Sequence, residues 1–158
     1  MLITLGVCGL KYNWFGKSVV RTCYCGVSCL GGNMKYQGSC LCGAVAIDIT
    51  GPIEHVMYCH CKMCRKAHGS SFASFGLVSK ENFEISGIDN IRSYKSSAHV
   101  TRTFCSTCGS NIEWNDSSEF GDGYRSFALG LLDSEFEAES EEHIFQSDGV
   151  KWGKCCAS

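Results

Sequence analysis

The chain has 158 residues, with 14 Lys and Arg against 16 Asp and Glu and a formal charge of −2: room for one ordinary core, too little for two full domains, and no basic footprint of a dedicated nucleic-acid binder. Thirteen cysteines are far above ordinary usage and call for either a disulfide framework or metal thiolates. No run approaches the ~18 apolar residues of a membrane span, and the opening "MLITLGVCGL" lacks the basic start and cleavage site of an export signal, so the chain reads as soluble and cytoplasmic.

Residues 1–33 hold Cys8, Cys23, Cys25 and Cys29 among many glycines, with no sustained period of 2 or 3.6. They read as an extension upstream of a natural start at Met34, poorly ordered or loosely docked. Patterned sequence begins at Met34. Val45, Ile47 and Ile49 alternate with Ala46, Asp48 and Thr50, the period of a half-buried strand, which Gly51 and Pro52 end. "HVMYC" predicts a second strand, and "KMCRKAH" one or two helical turns stopped by Gly69. "SFASFGLV", "NFEIS", "IRSYKS", "HVTRTFC", "NIEW" and "RSFALGLL" continue as short aromatic and β-branched runs between Gly, Ser, Asn and Asp. The expectation is a mainly antiparallel β domain over residues 34–152. The acidic "DSEFEAESEEH" reads as a solvated face or short helix, and residues 153–158 as a short tail.

Three cysteine groups stand inside that domain: Cys40-x-Cys42-Gly, Cys59-His-Cys61-x-x-Cys64 and Cys105-x-x-Cys108-Gly. Odd total, missing export signal and absent βαβ context weigh against disulfides and against a redox dithiol, and the clustering weighs against cysteines that merely pack. Zinc is the best account. Cys40 and Cys42, two apart on extended backbone, form one jaw of a clamp that Cys105 and Cys108 close. Cys59, Cys61 and Cys64 are then left one ligand short. Structural zinc sites are closed tetrahedra, whereas catalytic ones keep a position for water or substrate. His60, between two ligands on extended backbone, is expected to point away from them. His68 reads as a proton carrier or as a polar residue at a helix end. His55 and His99 read as packing or surface residues, and Cys155 and Cys156 have no partner group. Phe72 and Phe75 are expected to wall a pocket beside the three thiols, and Arg102 to meet an anionic group of a substrate.

"GSCLCGAV", "YCHCKMCRKAHGSSFASF", "TRTFCSTCGSNI" and the later "HIF" and "KW" together resemble the glutathione-dependent formaldehyde-activating enzyme family, with its centromere protein V branch, over about residues 34 to 152. The resemblance implies a β-tent similar to the zinc-containing Rab guanine-nucleotide release factor fold. It implies a structural zinc on Cys40, Cys42, Cys105 and Cys108 and a second on Cys59, Cys61 and Cys64. It also implies a carbon-sulfur lyase that makes and breaks the adduct of glutathione with formaldehyde. A competing expectation is a non-enzymatic two-zinc module that presents a partner-binding surface. The chain departs from the family where Lys151 precedes Trp152, a position at which members carry proline. Oligomeric state is not legible.

Overall fold

A computed structural model describes residues 34–118 and 121–153. What was expected of residues 1–33 and 154–158, with Cys8, Cys23, Cys25, Cys29, Cys155 and Cys156, lies outside the described residues. The elements are β1 (Lys35–Ser39), β2 (Ala46–Thr50), β3 (His55–Cys59), α1 (Lys62–His68), β4 (Ala73–Ser79), β5 (Phe83–Ser86), β6 (Ile91–Lys95), β7 (Val100–Cys105), β8 (Asn111–Asp116), β9 (Tyr124–Ala128) and β10 (Glu141–Ile144). They form a three-stranded sheet in the order β1-β2-β5 and a seven-stranded sheet in the order β10-β3-β4-β9-β8-β7-β6.

The alternating apolar residues of the first strand segment dictate how the sheets meet. Val45, Ile47 and Ile49 are each 1% exposed and form one core cluster with Phe83 of the small sheet and Val78, Ile112 and Phe127 of the large one. Phe83 and Phe127 set their rings 5.7 Å apart across it. A smaller cluster of Cys59, Cys64, Ala73 and Phe75 is separate from this core, and its membership already marks a place where thiols and an aromatic ring share burial.

Of the two forms expected for the acidic stretch it takes the solvated face, since Glu135, Glu137 and Glu139 are exposed and the segment is irregular rather than helical. Its odd-numbered acids face water while Phe136 turns inward, its ring edge-on to Tyr36 at 5.6 Å. The chain then enters β10, which pairs parallel with β3, Ile144 opposite Cys59. Parallel pairing needs a long return connection, and the irregular acidic segment completes it. Within β7 and β8 the register shifts between Arg102 and Phe104, where the backbone N–H of Glu113 donates to Thr103 Oγ1 at 3.0 Å. No helix among the described residues is long and apolar enough to cross a membrane.

Candidate metal centres

Cys40 directly follows β1 and Cys42 lies in the turn to β2, closed by Gly43 N–H donating to Cys40 O at 2.8 Å. The expected extended C-x-C jaw is therefore a hairpin turn, because the chain must reverse within six residues to pair Ser39 with Ala46. Cys105 and Cys108 stand on the matching turn from β7 to β8, where Gly109 N–H donates to Cys105 O at 2.9 Å. Gly43 and Gly109 close the two turns at φ 74 and 77, a region that costs an ordinary residue strain. The turns are tied directly, Leu41 N–H donating to Ser110 Oγ at 3.1 Å. The Sγ atoms of Cys40, Cys42, Cys105 and Cys108 all lie within 4.8 Å of one another, with Cys40 to Cys42 at 3.6 Å and Cys42 to Cys105 at 3.8 Å. A Zn–S bond of about 2.3 Å sets the thiolates of a tetrahedron about 3.8 Å apart, so the spacing fits one ion and far exceeds the ~2.05 Å of a disulfide. The Ser110 hydroxyl, 3.3 Å from Cys108 Sγ, brings that thiol down to about 5, toward the ligating form.

The second group spans the junction of β3 and α1. Cys59 ends the strand. Cys61 caps the helix, its Sγ accepting the N–H of Cys64 at 3.4 Å, so the three-residue step that brings both thiols to one side is the cap itself. Cys59, Cys61 and Cys64 place their sulfurs within 4.8 Å of one another, and among the described residues no further Cys, His, Asp or Glu joins them. His60 is held away: its N–H donates to Ile144 O at 3.0 Å, its carbonyl accepts from Arg65 Nε at 3.1 Å, and its Nε2 lies 2.8 Å from His143 Nδ1. Burial, then the charges of His143 and Arg65, lower the basicity of His60.

Arg102 is the site residue whose environment the sequence hid. It is only 7% exposed, donates from Nη2 to Cys64 Sγ at 3.4 Å, and also lines the cavity beside the three thiols. Hydrogen bonding with Cys59, and after the opposing effect of burial the Arg102 guanidinium, hold Cys64 well below the ordinary thiol range. Cys59 is pushed up in turn by Cys64. The two thiols titrate as a pair, and the Arg102 guanidinium favours the ionised form of Cys64. Three positions further along β7, beyond the register shift between Arg102 and Phe104, Cys105 belongs to the other cluster.

Beside the three thiols opens a cavity of about 400 Å³. Phe75 lines it, with Met57, Trp114 and Ile144. Phe72 does not. It packs on His60 and Tyr58 with ring centroids 5.3 and 5.4 Å away, in the bend that precedes β4. His68 sits between the clusters. Its ring meets Phe75 edge-on at 5.1 Å and borders a groove of about 480 Å³ that Cys40 also lines. Burial, then the charge of Arg102, lower it from 6.5 to about 4. His55 makes a surface contact with Glu142 at 3.2 Å.

Residues 35–148 match the glutathione-dependent formaldehyde-activating enzyme family. A protein of Schizosaccharomyces pombe described as an uncharacterized lyase is 32% identical over 78 residues, which cover 49% of this chain and 56% of that protein. The chain thus spans little more than half the length of that relative. A solved structure of a Rhodobacter sphaeroides protein superposes with a TM-score of 0.52 at 20% identity, covering 63% of this chain and 90% of the other, a likeness of fold.

Proposed function

The chain belongs to the glutathione-dependent formaldehyde-activating enzyme family, and from that premise we propose that it is a zinc-dependent carbon-sulfur lyase-type enzyme. It acts on adducts of glutathione, or another small thiol, with formaldehyde or a similar small carbonyl compound. The domain concerned spans residues 34–152, its architecture is read as a β-tent similar to the zinc-containing Rab guanine-nucleotide release factor fold, and its setting as cytoplasmic. The observation that carries the reading is the asymmetry of the thiol clusters: four sulfurs gathered by two turns, and three gathered beside a cavity.

Cys40, Cys42, Cys105 and Cys108 would hold one zinc ion and Cys59, Cys61 and Cys64 a second. When bound at the three thiolates, zinc supplies a thiophilic Lewis acid that favours a substrate thiol in its deprotonated form. The chain's own residues do the rest. Arg102 places a positive charge on Cys64, offsetting the excess negative charge of three thiolates and easing the approach of a fourth sulfur anion. Phe75 and Trp114, with ring centroids 6.2 Å apart, wall the cavity and keep bulk water from the carbonyl carbon. The addition forms a C–S bond, moves the carbonyl π pair onto oxygen, and returns to that oxygen the proton the thiol gave up. The lyase direction reverses each step.

Replacement of Cys61 by Ser tests this. The variant is expected to keep its fold and one zinc of two, and to lose glutathione-dependent consumption of formaldehyde by at least about a hundredfold. A wild-type protein with both zinc ions that neither binds glutathione nor alters its metal retention in its presence would favour the non-enzymatic module instead.

A further inference from the structure

The cavity beside Cys59, Cys61 and Cys64 is large for the adduct that the family's description implies. The carbon and oxygen of formaldehyde occupy a volume on the order of that of one or two water molecules, ~30 Å³ each. A space of about 400 Å³ is in the range that encloses a drug-sized ligand. What fills the remainder is decided by its lining. The inner wall is Met57, Phe75, Trp114 and Ile144, and Met63 and Phe145 stand at the mouth, 56% and 61% exposed.

Charge narrows the choice further. The cavity's one cationic side chain, Arg102, gives one of its donors to Cys64, its one carboxylate is Asp148, and Ser96 and Ser97 add hydroxyls at one edge. Glutathione carries two carboxylates and an ammonium group, more charge than the apolar wall of Met57, Phe75, Trp114 and Ile144 can pair, so arms set against that wall are better solvated outside it.

Phe145 supplies a second observation. It is the one described non-glycine residue at positive φ, 55, a conformation that strains a bulky side chain. A phenylalanine held there with most of its surface in water serves no core. It directly follows Ile144, the residue opposite Cys59, and lines the same cavity as the three thiols.

We propose that this cavity receives the carbon chain or ring of an apolar aldehyde, so that the preferred adducts are thiohemiacetals of aliphatic or aromatic aldehydes rather than of formaldehyde. The proposal rests on the lyase reading and names the substrate class of the same site. The step is the addition already described: the C–S bond forms, the carbonyl oxygen takes up the proton released by the thiol, and no oxidant or reductant is required. The apolar group enters on the carbonyl side, with the hydrophilic thiol reaching the sulfur position from outside.

The zinc-loaded full chain is titrated calorimetrically with S-methyl-, S-hexyl- and S-benzylglutathione, stable mimics of the adducts, and assayed with glutathione plus formaldehyde, hexanal or benzaldehyde. The expected result is affinity at least about tenfold higher for the hexyl and benzyl compounds than for the methyl, with kcat/KM following the same order. In Phe145→Asn, a residue that tolerates this backbone, benzyl affinity should fall about fivefold while methyl affinity and melting temperature hold or the latter rises. Equal affinities with formaldehyde turnover intact would overturn the proposal and leave the lyase reading standing. Preference for an apolar thiol with formaldehyde would also overturn it, by placing the apolar group on the other side of the bond. Failure of every thioether to bind and of every aldehyde to react would overturn both.

Discussion

Cys40, Cys42, Cys105 and Cys108 sit on two hairpin turns tied through Leu41 and Ser110, whereas Cys59, Cys61 and Cys64 span the junction of a strand and a helix. The first group joins residues more than sixty positions apart, Cys42 meeting Cys105, and so fastens the small sheet to the large one. The second group lies within six residues, and closing it restrains little of the chain. Loop closure explains the difference: a tie across a long loop removes more freedom from the unfolded state than a tie across a short one. The short tie is the one whose three thiols all line an apolar-walled cavity, whereas of the four-thiol group only Cys40 borders the neighbouring groove, and at the short tie a change in ligation disturbs the fold least.

The largest effect that can break this comparison is on stability. Cys105→Ser removes a fully buried ligand from the long-range tie, and structural zinc ligation contributes about 10 kcal/mol or more to small domains, comparable to a whole domain's margin. Circular dichroism should show loss of the cooperative melt. Cys61→Ser should melt cooperatively within a few degrees of the wild type. Equal melting of the two variants would end the division into a holding site and a working site.

Next in size is the charge beside Cys64. The four-thiol group has hydroxyl and backbone partners, as at Ser110, while the three-thiol group has a buried cation. Arg102→Met leaves that thiolate uncompensated, a change that costs about 3 kcal/mol or more at a buried pair. Competition with a chelator should release zinc from the three-thiol site about ten- to a hundredfold more readily and leave the four-thiol site unchanged. Arg102→Lys should fall between, since a lysine restores the charge without the planar fork. Equal weakening of both sites would show Arg102 acting through the fold rather than on Cys64.

How far these two regions were legible in the sequence follows from how local each feature is. The strand β2, the helix stopped by Gly69 and the grouping of seven thiols into four and three depend on neighbours a few residues apart, and spacing alone exposes them, whereas β1, "KYQGS", has one buried position and no apolar alternation to declare it. Nor is the parallel pairing of β10 local. "EEHI" has no alternation to declare a strand, and its partner lies some eighty residues earlier. Arg102 is a similar case: the sequence shows an arginine on a strand with polar neighbours, and only the approach of α1 converts it into a buried partner of Cys64. Phe72 and Phe75 part because the first lies in the bend that precedes β4 and the second within that strand. The cavity itself depends on segments from β3, α1, β4, the β6–β7 loop, β8 and the turn after β10, and no single stretch announces it.

The smallest effect concerns the residue the two regions share. His68 is four positions past Cys64 on α1, touches Phe75 of the cavity wall and borders the groove beside Cys40. Burial first, and the nearby Arg102 charge second, lower it from 6.5 to about 4. Between those two values the unfolded chain binds a proton that the folded chain does not. Folding stability contributed by neutral His68 is therefore complete above pH 6.5 and is lost as pH falls toward 4. With solvent screening of a partly exposed ring the loss at pH 5 amounts to about 1 kcal/mol. His68→Gln cannot charge, so its melting temperature should decline less steeply than that of the wild type across this window. Any zinc held by the thiols would be lost to their protonation in both proteins alike, and the difference between their slopes isolates the imidazole. If zinc release from the three-thiol group also shifts in His68→Gln while the four-thiol group is unaffected, the residue belongs to the working half of the molecule; parallel slopes with unchanged release would return it to the role of a helix-end residue.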